Sequence, residues 1–421
     1  MRVDLAFGKS GLSLDMPNGR DFQILEPRWA TPLDDPAAEI EKAVAGVSSL
    51  ARGKQTVAIS VCDITRPAPN KLTLPPLLRQ LEAAGIHRDR ITILIATGLH
   101  RPAPKFEIDE IVGPEIAARY NVVNHFAREI DQHRYLGDTR SGTPVYIDER
   151  YVSSDLHITL GFIEPHLMAG FSGARKLIAP GLAGEKTIKT LHSPRFMRDP
   201  RATEGSIVDN PLNNELWEIA GMAGHDYVLD VVLTKGKRIA AVFAGAPREA
   251  HARGVTYVQE KMTEWLPEVV DIAITTCAGY PLDLTFYQAV KGVTAASHIV
   301  RPGGIILLFA QCSEGPGAHE FAEMLKTWPD HKAFLDHISA QPVTVDQWQL
   351  EKLALVVREK EVWMYVPGVA EEYHSGLWGR LFATPEAALA ALPPNQKIAV
   401  IPEGPYVLAR VRQPELEHVY A

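Results

Sequence analysis

Six short apolar runs recur along the chain: TVAISVC (56–62), ITILIAT (91–97), LHITLGFI (156–163), YVLDVVL (227–233), VVDIAITTC (269–277) and GGIILLFA (303–310). Each is continuous rather than alternating and rich in β-branched residues. That is the pattern of a strand covered on both faces, and such strands belong to parallel sheets flanked by helices. Helix-length segments separate them: LPPLLRQLEAAG (74–85), NPLNNELWEIAGMAG (210–224), PREAHARGVTYVQEKM (247–262) and LTFYQAVKGVTAASHIV (284–300). The alternation predicts an α/β fold with largely parallel sheets.

At 421 residues the chain exceeds the size at which one core stops growing, so two α/β domains are expected. A long helix ends in WLPE and a fresh strand series begins near Trp265–Val269, which sets the division at 1–266 and 267–421. Beyond it the pattern predicts a helix at 348–360, a strand at 362–366, a helix at 384–392 and a last strand at 397–404.

The net charge is −8, with no basic run or stripe, so nucleic acid is not an expected partner. No apolar run approaches the roughly 18 residues that cross a bilayer, and the start, MRVDLAFGKSGLSLDMPNGR, lacks a basic segment followed by an apolar one. A cytoplasmic protein with no membrane partner is expected. Cys62, Cys277 and Cys312 are far apart and form no CxxC pair, which argues for buried free thiols over a disulfide framework or zinc–thiolate site.

Ligands of open parallel sheets bind outside the carboxyl ends of the strands. The segments that follow the apolar runs read Asp63-Ile-Thr-Arg-Pro67, Gly98-Leu-His-Arg-Pro102, Glu164-Pro-His166 and Ala278-Gly-Tyr-Pro-Leu-Asp283. The first offers a carboxylate (Asp63), a hydroxyl (Thr65) and a guanidinium (Arg66), a set suited to phosphate or carboxylate oxygens; an Asp turn with a surface arginine is the plainer alternative. His100 and His166 each stand just past a strand. Two imidazoles converging from separate loops are what inversion of a stereocentre needs, one taking a proton on one face and the other returning it on the opposite face. With 15 histidines in the chain, chance placement is the competing explanation.

The run from Ala169 to Gly184 is glycine-rich and contains Lys176, which suggests a phosphate cradle. It does not meet the P-loop spacing, because Glu185 separates Gly184 from Lys186-Thr187 and Arg175 follows Ala174 where the motif requires lysine after glycine. The glycines could still let backbone approach a phosphate, with the helix near Glu185 aiming amides at it. His192 closes this segment, and a single histidine makes a poor metal site without ligands from elsewhere.

Taken in order, DITRP, TGLHRP, EPHLMAGFSGARKLIAPGLAGEKTI with His192, and YQAVKG resemble the lactate racemase family of nickel-dependent 2-hydroxyacid racemases and epimerases. The resemblance spans nearly the whole chain. It implies nickel and pyridinium-3-thioamide-5-thiocarboxylic acid mononucleotide, the nickel-pincer nucleotide, attached covalently to Lys176, with His192 as the protein's metal ligand. It implies further that His100 and His166 are the catalytic bases, that Arg66, Lys291 and Gln288 serve the substrate, and that Asp63, Thr65, Arg66, Gly170, Gly173 and Tyr287 lie at the cofactor. Cofactor-synthesis proteins become expected partners for maturation. Residues 1–266 then form the catalytic, cofactor-anchoring domain, with the active site in the cleft toward 267–421.

Gln288 and Lys291 are three apart and share a helical face beside Tyr287, although an ordinary amphipathic helix would show the same spacing. Trp348 is read as core packing that could also approach the site. Ala174 stands where the family's Gly-Gly-Arg-Lys run has a second glycine. Leu99, Leu167 and Met168 flank the two histidines, a setting suited to a lactate-like or longer aliphatic 2-hydroxy acid. The reaction expected is racemisation or epimerisation by reversible hydride transfer. The alternatives are a nucleotide-binding enzyme with a degenerate loop at 170–187 and a non-catalytic relative that binds without turnover.

Overall fold

The computed structural model describes residues 2–16 and 22–412. The chain forms two compact units. One comprises Trp29–His192 and Arg201–Glu260; the other combines the segment ending at Arg28, Ser193–Pro200 and the segment beginning at Lys261. Local pattern suggests a single continuous cut near 266, whereas both units are discontinuous. The cause is long-range pairing: Phe22–Ile24 adds a parallel edge strand to Ile398–Ile401, and Arg198 Nε donates to Glu351 Oε1 at 2.7 Å, which ties the 193–200 excursion to the helix Gln347–Val357.

The sheet of the first unit has six strands. From one edge to the other they run Ile239–Gly245, Tyr227–Leu233, Leu156–Phe162, Val57–Cys62, Ile91–Ala96 and Asn121–Asn124. All neighbours pair in parallel except the antiparallel edge strand Ile239–Gly245. Val57–Cys62 is buried along its whole length, as the β-branched run predicts. The helix Asn70–Ala83 covers the sheet with Leu74, Leu77, Leu78 and Leu81, starting a turn earlier than the 74–85 pattern suggests and running through Pro75 and Pro76. Polar caps start two further helices of this unit. Asp35 accepts from Ala38 N ahead of Pro36–Val44, and Asn210 accepts from Asn213 N ahead of Pro211–Ala223, each with proline in the first turn, where its missing N–H costs nothing.

Chain order positions the site. From Val57–Cys62 the chain proceeds outward through Ile91–Ala96 to Asn121–Asn124, then returns to the other side of Val57–Cys62 with Leu156–Phe162. The direction of winding therefore reverses between Val57–Cys62 and Leu156–Phe162, and loops at such a reversal diverge to leave a crevice at the strands' carboxyl ends.

The second unit has its own six-stranded, all-parallel sheet, ordered Arg380–Leu381, Glu361–Tyr365, Val300–Phe309, Val270–Thr276, Ile398–Ile401 and Phe22–Ile24. The expected last strand is followed by one more, Leu408–Val411, which pairs with Thr263–Leu266. Thr285 caps the helix Phe286–Ser297, whose Phe286, Ala289, Val290 and Val293 enter the core. Both sheets are largely parallel, as expected from the sequence. The three cysteines are buried free thiols, and burial pushes Cys62 and Cys277 up to about 12. Among the described residues no helix is long and apolar enough to cross a membrane.

Candidate active site

Val57–Cys62 delivers Asp63 at its carboxyl end, and the adjacent Ile91–Ala96 delivers His100 through a turn closed by His100 N to Thr97 O at 2.9 Å. His100 Nδ1 lies 2.7 Å from Asp63 Oδ2. The carboxylate is buried while the imidazole is half in solvent, with side-chain exposures of 7% and 53%. Thr65 Oγ1 donates to the other Asp63 oxygen at 2.6 Å, and Arg66 Nη1 donates to Thr65 Oγ1 at 3.1 Å. Burial opposes the Asp63 charge, yet the bond and charge of His100, helped by Thr65 and Arg66, hold its carboxyl below the usual range. A carboxylate at Nδ1 fixes the ring proton there and leaves the Nε2 lone pair facing outward, the tautomer a base requires. Arg66 itself is exposed.

His166 follows Leu156–Phe162 across the winding reversal, paired with Gly170 in a two-residue antiparallel bridge. Its Nδ1 accepts from Ala169 N at 3.1 Å and from Met168 N at 3.3 Å. Its Nε2 lies 3.1 Å from Lys176 Nζ. Lys176 rides on a single turn, Ala174–Leu177, closed by Lys176 N to Gly173 O at 3.1 Å. Gly173 and Ala174 both have left-handed φ, +85° and +43°. The expected glycine position therefore does adopt a glycine conformation, and the Ala174 methyl accepts it.

His192 ends the helix Glu185–Leu191 and donates Nδ1–H to Ile188 O at 2.8 Å, which puts its lone pair on Nε2. Burial, with the Lys176 charge adding to it, brings His192 down to about 4, so its ring is a neutral imidazole donor at pH 7. Among the described residues no group of three or more His, Cys, Asp or Glu is arranged to chelate a metal. A metal on His192 would thus need donors that are not protein side chains.

In the second unit Tyr287, Gln288 and Lys291 share the half-buried face of Phe286–Ser297 opposite the core residues. Gln288 Oε1 is a buried acceptor with no hydrogen-bond partner among the described residues, the kind of atom a ligand satisfies. Trp348 is buried and its Nε1 donates to Tyr287 OH at 3.2 Å, so it packs in the core and also fixes the tyrosine.

Two expectations change. Leu167 and Met168 are 6% and 4% exposed and belong to the core, because the 166–169 turn folds them inward; only Leu99 is half-buried. Many donors of the phosphate cradle are already engaged. The amides of Ala174, Lys176, Ile178, Gly181 and Gly184 donate to protein acceptors, and Glu185 N donates to Ala127 O rather than facing an anion. Gly170 has its own packing reason, since a Cβ there would lie 2.1 Å from Ser206 O.

Three buried groups beneath the loops escaped the sequence. Arg175, with 0% exposure, donates to Asn213 Oδ1 and to the carbonyls of Ala169 and Phe171, pinning the loop from inside. Asp230 sits in the middle of YVLDVVL, and a carboxylate inside an otherwise apolar strand was the signal available. His125, bonded to Asp148 and to Ala183 O at 3.1 and 3.0 Å, braces the approach to Glu185–Leu191.

Residues 7–205 match the lactate racemase N-terminal domain and residues 267–409 the lactate racemase C-terminal domain. A lactate racemase of Thermoanaerobacterium thermosaccharolyticum is 31% identical over 427 residues, spanning 97% of this chain and 99% of that protein. One of Lactiplantibacillus plantarum is 35% identical over 373 residues, spanning 86% and 87%. The lactate racemase apoprotein structure from T. thermosaccharolyticum superposes with a TM-score of 0.91 at 31% identity, over 97% of this chain and 100% of that one. A Thermotoga maritima protein shares the fold alone, at TM-score 0.67 and 14% identity over 91% of this chain and 100% of its own.

Proposed function

Because the chain belongs to the lactate racemase family, and is thereby an isomerase of the racemase class, we propose that it inverts the α-carbon of a 2-hydroxy carboxylic acid, lactate or a larger homologue, using a nickel-pincer nucleotide held by Lys176 and His192. The observation that carries this reading is a histidine after each of the two strands that flank Val57–Cys62: His100 backed by Asp63, and His166 with its Nε2 3.1 Å from the Lys176 amine.

The residues fit the cofactor. Lys176 is presented by a tight turn as the amine for covalent attachment, and His192 offers a neutral imidazole where, among the described residues, no chelating cluster stands. When bound, the nucleotide supplies a reversible hydride acceptor beside nickel, chemistry that no side chain offers.

His100 Nε2 accepts the substrate hydroxyl proton, and Asp63 stabilises the imidazolium that results. His166 performs the corresponding transfer for the opposite enantiomer. Its Nδ1 accepts two backbone amides, which puts the neutral ring's proton on Nε2, so the 166–169 turn must loosen and the proton move to Nδ1 before Nε2 can act as a base. Arg66 holds the substrate carboxylate; in the second unit, Lys291 and Gln288, whose Oε1 is a buried acceptor, are the residues that the family resemblance assigns to the substrate. Thr65, Gly170, Gly173 and Tyr287 complete the cofactor surroundings. The protein is read as cytoplasmic and as dependent on cofactor-synthesis proteins.

The test is chiral chromatography of lactate and longer 2-hydroxy acids with holoprotein from a cofactor-making host, together with its intact mass. Racemisation with a covalent adduct on Lys176 is expected. An unmodified Lys176 without bound nickel would sink the cofactor assignment, and turnover of polyhydroxy acids alone would remove the lactate-like substrate.

A further inference from the structure

Asp230 is fully buried at the centre of Tyr227–Leu233, opposite Gly161 on the neighbouring strand. A carboxyl group placed there loses its hydration and needs a structural return. One oxygen accepts the Ala174 N–H at 2.9 Å; the other has no hydrogen-bond partner among the described residues. Two glycines are shaped around it. A Cβ on Gly161 would lie 2.9 Å from Oδ1, and one on Gly173 would lie 2.5 Å from Oδ2.

The amide that Asp230 grips belongs to the residue that most resists its conformation. Ala174 has φ +43°, a region L-residues seldom occupy, and it follows Gly173 at φ +85°. The turn these two residues open leads directly to Lys176. Arg175 departs into the core carbonyls, so the side chain after it leaves on the other side, toward His166. Ser60 Oγ holds the far end of the turn at Leu177 O, but without the carboxylate the Ala174 amide loses its acceptor, and relaxation there would rotate the next two residues.

We propose that Asp230 is a positioning residue for Lys176, holding the left-handed Gly173–Ala174 turn through the Ala174 amide so that the lysine amine stands against His166. It touches no reacting atom. The proposal deepens the reading of Lys176 as the covalent anchor and rests on it for its consequence.

The full chain is compared as wild type, Asp230→Asn, Asp230→Ala and Asp230→Ala/Ala174→Gly. Asparagine keeps an acceptor, alanine removes it, and glycine takes the left-handed turn unaided. Hydrogen exchange of the 169–177 peptide in the apoprotein reads the turn, and the fraction of Lys176 carrying the cofactor after co-expression reads its consequence, with Tm alongside. Asp230→Ala should speed exchange and lower loading by about tenfold or more, Ala174→Gly should restore at least half the loading without restoring Tm, and Asp230→Asn should stay within about twofold of wild type on both readouts. Wild-type loading and exchange in Asp230→Ala would overturn the proposal, as would a loading loss that follows Tm and ignores Ala174→Gly. If Asp230→Ala fails to fold, Gly173→Ala decides, because its methyl drives the turn off an intact Asp230 and should cost the same loading; normal loading overturns the idea. An unloaded wild type would instead overturn the anchor assignment, while the exchange comparison still judges the turn.

Discussion

The Nδ1 of His100 lies 2.7 Å from Oδ2 of Asp63, an imidazole half in solvent supported by a carboxylate that is buried. The two side chains come from the ends of adjacent parallel strands in which Cys62 is in register with Ala96. The Thr97–His100 turn, closed by His100 N to Thr97 O at 2.9 Å, spans the gap from the strand end to the imidazole.

Asp63→Asn keeps the shape and removes the charge that fixes the tautomer. The racemisation rate should fall by about 10²- to 10⁴-fold, with little change in Tm. Initial rates from each enantiomer, followed by chiral chromatography, check this; a loss under about threefold would contradict the assignment of His100 as a base.

Lys176→Ala and His192→Ala should separate attachment from ligation. The first should lack both the covalent mass and nickel, while the second should keep the adduct on Lys176 and lose most of its nickel. Intact mass and elemental analysis of the same preparations give the answer, and a strong chelator should abolish wild-type activity without changing the adduct mass.

Asp148 and His125 both have 0% side-chain exposure, and Arg150 donates to the same carboxylate. Burial opposes the Asp148 charge, but Arg150 and His125 outweigh it and bring the carboxyl down to about 2 from 3.8. A lowered folded value contributes stability that is present above 3.8 and lost as pH falls toward 2. Asp148→Asn should therefore cost about 3 kcal/mol near neutral pH and less at pH about 3, read from urea midpoints.

Asp230 carries the opposite sign. Burial raises its carboxyl to about 7 from 3.8, although the Ala174 amide and Arg175 oppose the shift. The folded state then holds a proton that the unfolded state has released, and this group costs stability as pH climbs from 3.8 to 7. Asp230→Asn removes that slope. Its Tm relative to wild type should rise between pH 5 and pH 8, and a flat or falling difference would contradict a buried, poorly paired acid.

Much of this was legible in the chain. Continuous β-branched runs such as Val57–Cys62 and Ile91–Ala96 report burial on both faces, and the polar residues after them mark the ligand end of the sheet. Phe22–Ile24 was not legible, because its partner Ile398–Ile401 lies at the far end of the sequence and no local pattern encodes such a pairing. Trp348 was read as core, and its bond to Tyr287 OH depends on tertiary packing that spacing does not reveal. Leu167 and Met168 were placed by proximity to His166 in sequence, whereas a tight turn sends neighbours in opposite directions. Asp230 stood in plain view within an apolar strand, but its partner, an amide in a left-handed turn, exists only once the loop has folded over it.

Arg175 and Lys176 are adjacent, yet one spends its guanidinium on carbonyls inside the loop while the other stands beside His166. Their identities are therefore locked to a count of residues rather than to a composition. Deleting one position between Ser172 and Arg175 would put the lysine in the slot of the buried guanidinium, and inserting one there would put the arginine in the slot that faces His166. Loop grafting between relatives should tolerate no change in the length of this segment.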